Sequence, residues 1–199
     1  TRQTSHVTRH LSFFRLESGM TDEAKPARLA RRVIYENPWV SLYVDRVRFP
    51  GGRLIEAHHV LHFDKEAVAS IVEDSGGSVL LVEAYRYVVD AIQWEIPAGG
   101  VEPGESILAA AAREVVEESG YQTVGHRLVA SFEPINGIGD KVHHLVYCRA
   151  VGEPGTFDMN EVRAVRWVSR EEARAMIDSG QVRDGYTLTG LLWWLLETR

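Results

Sequence analysis

The chain has 199 residues, 45% of them apolar and 25% charged, which fits one globular domain or one domain with a small appendage. Its formal net charge of -6 gives no general attraction to nucleic acid, so an anionic ligand must be met by local Arg or Lys or by a metal ion. The single cysteine, Cys148, excludes an internal disulfide and a cysteine-built zinc cluster, and no run is apolar enough to span a membrane; a reducing cytoplasm is the expected setting.

In chain order, residues 1–30 read as an extension, with Thr1–Gly19 expected to be loose ahead of Met20. A strand-rich segment follows over residues 31–63. Its runs Val40–Phe49 and Leu54–Phe63 flank "PGG" and predict a hairpin. Residues 64–199 form the main domain. "AVASIVED" and "SVLLVEAYRY" around "SGG" predict a second hairpin, and "IQWEI" a short strand. "HRLVASF", "KVHHLVYCRA" and "VRAVRWV" predict three more strands. Ser169 with Glu172 three residues on gives a capping box for a helix that stops near Gly180. Leu188, Leu191, Leu192 and Leu195 mark the core face of a last helix. Strands, helix, strands, helices make an α+β or mixed-sheet α/β sandwich.

Ser106–Ser119 has neither Gly nor Pro and is rich in helix formers. Ser106 can cap its start, and Gly120 can end it in the left-handed conformation. Leu108, Ala112, Val115 and Val116 fall on one side of the helix, and Glu114, Glu117 and Glu118 on an adjacent arc. Those three carboxylates repel one another, and the dipole of the last turn disfavours them too. A local rule broken in this way marks function, and a hard divalent cation would resolve the repulsion. The glycines of "PAGGVEPGE" let the preceding loop fold back against the helix, and Arg113 can bridge to Glu105 to hold it there. A plain solvated acidic face is the alternative.

The spacing Gly99, Glu105, Arg113, Glu114, Val115, Glu117, Glu118, Gly120 resembles the signature of the Nudix hydrolases. Seven fixed letters at average usage make a chance match in such a chain roughly one in a million. Tyr121 departs from the aliphatic residue usual at the last position. The resemblance implies a mixed sheet between helices and hydrolysis of a nucleoside diphosphate linked to another moiety, with Mg2+ or Mn2+. It implies Glu114 and Glu118 as main metal ligands, Glu117 as a further one, and the Ala98 carbonyl as a fourth.

"EAYRY", "WEIPAGGVEPGE" and "VRDGYTLTGLLWWL" are similar to the ADP-ribose and ADP-sugar pyrophosphatases within that family. This implies Arg86 on the diphosphate, Glu95 and Asn136 at the substrate, and a homodimer built by residues 31–63, with Trp39 and Arg53 near the neighbouring nucleotide. Asn136 stands where that group commonly has Pro, which leaves ADP-glucose, GDP-mannose or another nucleotide sugar open. The base is expected on the loop "GEPGTFDMNE", with Glu161 ahead of Asp158, and Glu117 if neither serves. Arg113 and Glu105 complete the catalytic set. A nucleoside triphosphate pyrophosphohydrolase is one alternative, and a catalytically silent binding module another, although no box carboxylate is lost. The pairs His58/His59 and His143/His144 alternate faces in their strands and are expected to be ordinary strand histidines.

Overall fold

The computed structural model describes residues 25–197; the expected loose extension at 1–19 lies outside them. The described residues form two sheets and three α-helices, with one 3-10 turn at Tyr87–Val89. The first sheet is antiparallel, with order β1 (Ala27–Tyr35), β2 (Ser41–Arg48), β3 (Leu54–His62). The β2–β3 hairpin closes around Pro50–Gly52, where expected. β1 starts at Ala27, four residues before the first position read as strand. Its alternation is blurred because every residue in it is exposed.

The second sheet holds seven strands in the order β10 (Val162–Val168), β5 (Val79–Arg86), β4 (Ala67–Glu73), β9 (His143–Val151), β8 (Gln122–Phe132), with β6 (Ala91–Glu95) on β5 and β7 (Ala98–Gly100) on β4. The β4–β9 pair is parallel and the others antiparallel. β4 is buried along its whole length. Val68 and Val72 face helix α1 (Ile107–Ser119), while Ala69 and Ile71 face the side covered by α2 (Arg170–Asp178) and α3 (Gly185–Leu196). A central strand covered on both faces reads as a continuous apolar run, as "AVASIV" does. The result is a mixed sheet sandwiched between helices. Among the described residues no helix is long and apolar enough to cross a membrane.

The second expected hairpin is only half right. Its turn forms, with Ser78 N–H donating to Asp74 Oδ1 at 2.8 Å, but β4 and β5 pair only at Glu73 and Val79. Beyond the turn they splay, and β6 and β7 pair along their open edges. This splay lets Ala98–Gly100 pair along the start of β4.

Helix α1 has the foreseen ends. Ser106 Oγ accepts from Ala109 N–H at 3.2 Å, and Gly120, at φ 74°, caps the C-terminus. Its buried face is corrected: Ala110, Ala111 and Val115 are fully covered, whereas Leu108 is exposed. At α2, Ser169 accepts from Glu172 N–H, but the Glu172 carboxylate takes Arg166 instead of reaching back, so half of the capping box forms. In α3, Leu191 and Trp194 fill the core and Leu192 is exposed, because the covered stripe turns toward the tryptophan. Asp184, which the sequence did not mark, caps α3 through Thr187 N–H at 2.7 Å.

Candidate active site

Arg113 organises the junction between loop and helix. Its Nε and Nη2 donate to Glu105 at 3.0 and 2.9 Å, its Nη2 also to the Gly100 carbonyl at 2.8 Å, and its Nη1 to Glu114 at 2.8 Å and Glu117 at 3.0 Å. The Glu105 contacts, strongest among these, raise the Arg113 pKa, and Arg113 in turn lowers that of Glu105. The bridge predicted from sequence is therefore formed, and it ties the loop to the helix at both ends.

The three acidic residues of the last turn differ sharply in environment. Glu117 has its side chain 53% exposed. Glu114 is half-buried, and burial pushes its pKa up despite Arg113. Glu118 is 7% exposed and lies under the loop, where its Oε2 accepts from Ala98 N–H at 2.9 Å. Burial raises its pKa to about 8, and the nearby charge of Glu114 adds to the push. The carboxylates do not converge on one point. Arg113 draws two of them and the Ala98 amide the third, and among the described residues no three acidic, His or Cys side chains form a ready cage.

The loop carrying the expected base is tied to the same helix end. Gly155 N–H donates to the Gly120 carbonyl and Asp158 N–H to the Glu117 carbonyl, both at 2.9 Å. Glu161, exposed at the end of this loop, lies close enough that its charge raises the pKa of both Glu114 and Glu118. Asp158 turns inward on its own loop, accepting from Asn160 at 2.8 and 2.7 Å.

A cleft in three adjoining chambers opens beside the loop. The chamber against it, about 330 Å³, is lined by Ala98, Gly99, Gly100, Arg86, Glu95, Lys141, Asp184 and Tyr186. A second, about 470 Å³, lies beyond Arg86 and Glu95 and is walled by Tyr85, Tyr87, Val88 and Gln93. The third, about 380 Å³, is aromatic, with Phe132, His143 and Tyr186. Asp184 borders all three. Arg86 is held by buried Glu95 through Nε at 3.0 Å and Nη2 at 2.6 Å, which raises its pKa, and its Nη1 carries no protein hydrogen bond among the described residues.

Of the residues singled out by sequence, Arg86, Glu95 and Ala98 line the cleft and the box residues adjoin it. Trp39, Arg53 and Asn136 do not line it in the single chain. Trp39 is 76% exposed with Lys65 Nζ over its ring, Arg53 sits at the β2–β3 turn over Phe49, and Asn136 is exposed in the β8–β9 loop. The sequence reading missed Lys141, Asp184, Tyr186 and His143. His143 stacks on Tyr186 at 3.8 Å between centroids, and burial lowers its pKa to about 4, so it is a neutral wall of the cleft and not a passive strand residue. Its partner His144 is an ordinary strand histidine, bonded to Ser131 and Glu66. The one signal in the sequence was that "KVHH" directly follows the loop carrying Asn136.

This fold, with an acidic helix clamped to a glycine loop beside a divided cleft, defines a Nudix-type hydrolase. The NUDIX domain profile matches residues 64–188, and the chain belongs to the Nudix hydrolase family. The nucleoside diphosphate sugar hydrolase N-terminal domain matches residues 28–61. The chain is 31% identical over 164 residues to CMP-5'-(N-acetyl-N-hydroxy-3-aminopropyl)phosphonate hydrolase of Streptomyces rubellomurinus, covering 81% of this chain and 78% of that protein. It is 28% identical over 172 residues to an ADP-ribose pyrophosphatase of Bacillus subtilis, covering 85% and 92%. A solved structure of an ADP compounds hydrolase superposes with a TM-score of 0.75 at 16% identity, covering 84% of this chain and 91% of that one, a likeness of fold. Nudix hydrolases generally use a divalent metal and act on small nucleotide substrates.

Proposed function

We propose that this enzyme cuts the diphosphate link of ADP-ribose or a related nucleotide sugar, releasing a nucleoside monophosphate and a sugar phosphate. One observation carries the reading: Arg86 and Glu95 stand between two of the chambers, and Asp184 borders all three. A diphosphate lying across Arg86 has a separate room for a moiety on either side, whereas a nucleoside triphosphate brings only one such moiety. The N-terminal match and the relatives named for ADP-ribose support the same substrate class.

The donor set fits Mg2+, with Mn2+ as a substitute. Its ligands are hard oxygens, and two of its carboxylates are held out of water where a cation would relieve both burial and repulsion. Glu114, Glu117, Glu118 and the Ala98 carbonyl would hold the ion. Bound there, it supplies charge neutralisation and polarisation of the phosphorus. The chain does the rest. Arg86 offers Nη1 to a phosphate oxygen while Glu95 fixes its orientation. Arg113 and Glu105 hold the loop in place. Glu161 takes the proton of the attacking water, its loop braced on α1 by the Gly155 and Asp158 amides.

The protein works as a homodimer on this reading. β1 is exposed throughout, with Leu29, Val33, Ile34 and Tyr35 uncovered, and a second copy would bury them and bring Trp39 and Arg53 to its cleft. Light scattering showing a monomer that is active at nanomolar concentration overturns this part. A panel of nucleotide sugars and nucleoside triphosphates, assayed with and without Mg2+, tests the activity. AMP and ribose phosphate from ADP-ribose support it; turnover of triphosphates alone, with release of pyrophosphate, refutes it.

A further inference from the structure

Lys141 stands just ahead of β9, and Arg86 ends β5. The two flank opposite sides of the end of β4, whose first residue, Ala67, lines the same chamber. The acids around this chamber are engaged: Glu95 by Arg86, and Asp184 by Thr187 N–H and Oγ. Lys65, a neighbouring cation, is paired with Glu102 at 2.8 and 2.9 Å. Lys141 differs. It is half-buried, its Nζ donates to the uncharged Lys65 carbonyl at 2.6 Å and lies 5.2 Å from the centre of the Phe63 ring, and among the described residues no carboxylate pairs with it.

Burial and the charge of Lys65 lower its pKa, and its own charge depresses that of His143 in the next chamber. An ammonium partly out of water, beside a like charge and without a counter-ion, is costly. The arrangement becomes favourable once an anion enters the chamber.

Building on the diphosphate reading above, we propose that Lys141 is a substrate-binding residue whose ammonium meets the diphosphate from the side of the cleft away from Arg86. The two cations then play different parts. Arg86 is oriented by a carboxylate and leaves one nitrogen for the ligand. Lys141 is neutralised by no carboxylate among the described residues and supplies its whole charge. An enzyme built this way favours substrates with two adjacent anionic phosphoryl groups in the chamber over phosphodiesters carrying one charge.

The test compares Lys141→Gln and Lys141→Arg with wild type in the full chain. With ADP-ribose and Mg2+, Lys141→Gln is expected to raise KM by roughly 10- to 100-fold, the range for losing a hydrogen bond to a charged group, with kcat close to wild type. Lys141→Arg should recover most of that loss. Binding of inorganic diphosphate by calorimetry, in EDTA and in Mg2+, should weaken in parallel, and its dependence on KCl should flatten in Lys141→Gln because one screened contact is gone. A purely structural lysine would lower the thermal midpoint without flattening the salt dependence. Unchanged diphosphate affinity or salt dependence in Lys141→Gln, or equal loss in both variants, overturns the proposal. Failure of wild type to turn over any nucleotide sugar would sink the substrate reading alone, since the diphosphate arm still decides Lys141.

Discussion

Replacing Gly99 by Ala isolates the geometry of the site from the stability of the fold. A Cβ built on Gly99 overlaps the carboxyl group of Glu114, well inside van der Waals contact. The obstacle is the far end of a flexible side chain, and Gly99 is not among the glycines with positive φ, so the backbone tolerates Ala. To reach ordinary contact near ~3.5 Å the carboxyl must retreat by roughly an ångström or more. That movement pulls it from Arg113 and from the place where it would meet a metal. A misplacement of about 1 Å at a reacting centre can cost on the order of 100-fold in rate. Gly99→Ala should therefore lose about that factor in kcat/KM while its unfolding free energy stays within ~1 kcal/mol of wild type. The assays are steady-state hydrolysis at saturating Mg2+ and urea unfolding followed by tryptophan fluorescence. Full activity in a folded Gly99→Ala protein would refute the assignment of Glu114 to the working site.

Gly120→Ala should behave in the opposite way. Its Cβ overlaps the backbone carbonyl of Gly155 at a left-handed residue, so neither side can yield cheaply. A loss of roughly 2–4 kcal/mol is expected in the same urea assay, from the conformational penalty plus overpacking, together with lower kcat as the Glu161 loop shifts. Glu161→Gln should lower kcat by on the order of 10² to 10⁴ with KM nearly unchanged. Normal turnover there with loss in Asp158→Asn moves the base to Asp158, and normal turnover in both moves it to Glu117. His62, hydrogen-bonded to Asp140 and flanked by Asp64, has its pKa raised above 6.5. Its clamp between β3 and the β8–β9 loop is at full strength below that value and is lost as pH rises through the folded pKa. An NMR titration should find the His62 ring titrating above the unfolded reference in wild type and near it in Asp140→Asn.

The sequence by itself determined what is local. Ser106, the unbroken run to Ser119, Gly120 and the periodic carboxylates specify a capped helix and its acidic arc, because capping and the i, i+3, i+4 spacing act within a few residues. The bridge from Arg113 to Glu105 was legible for the same reason, being one loop away. Tertiary structure alone decided which carboxylate is buried: Glu118 lies under Ala98 because β7 pairs with β4 in the gap left when β4 and β5 splay, a choice made by strands far apart in the chain. It also decided the cleft. Lys141 before β9, Asp184 and Tyr186 at α3, and Arg86 on β5 carry no shared spacing. Burying both faces of β4 brings their elements to one end of the sheet, and only there do the Lys141 ammonium and the engaged Arg86 guanidinium become two sides of one chamber.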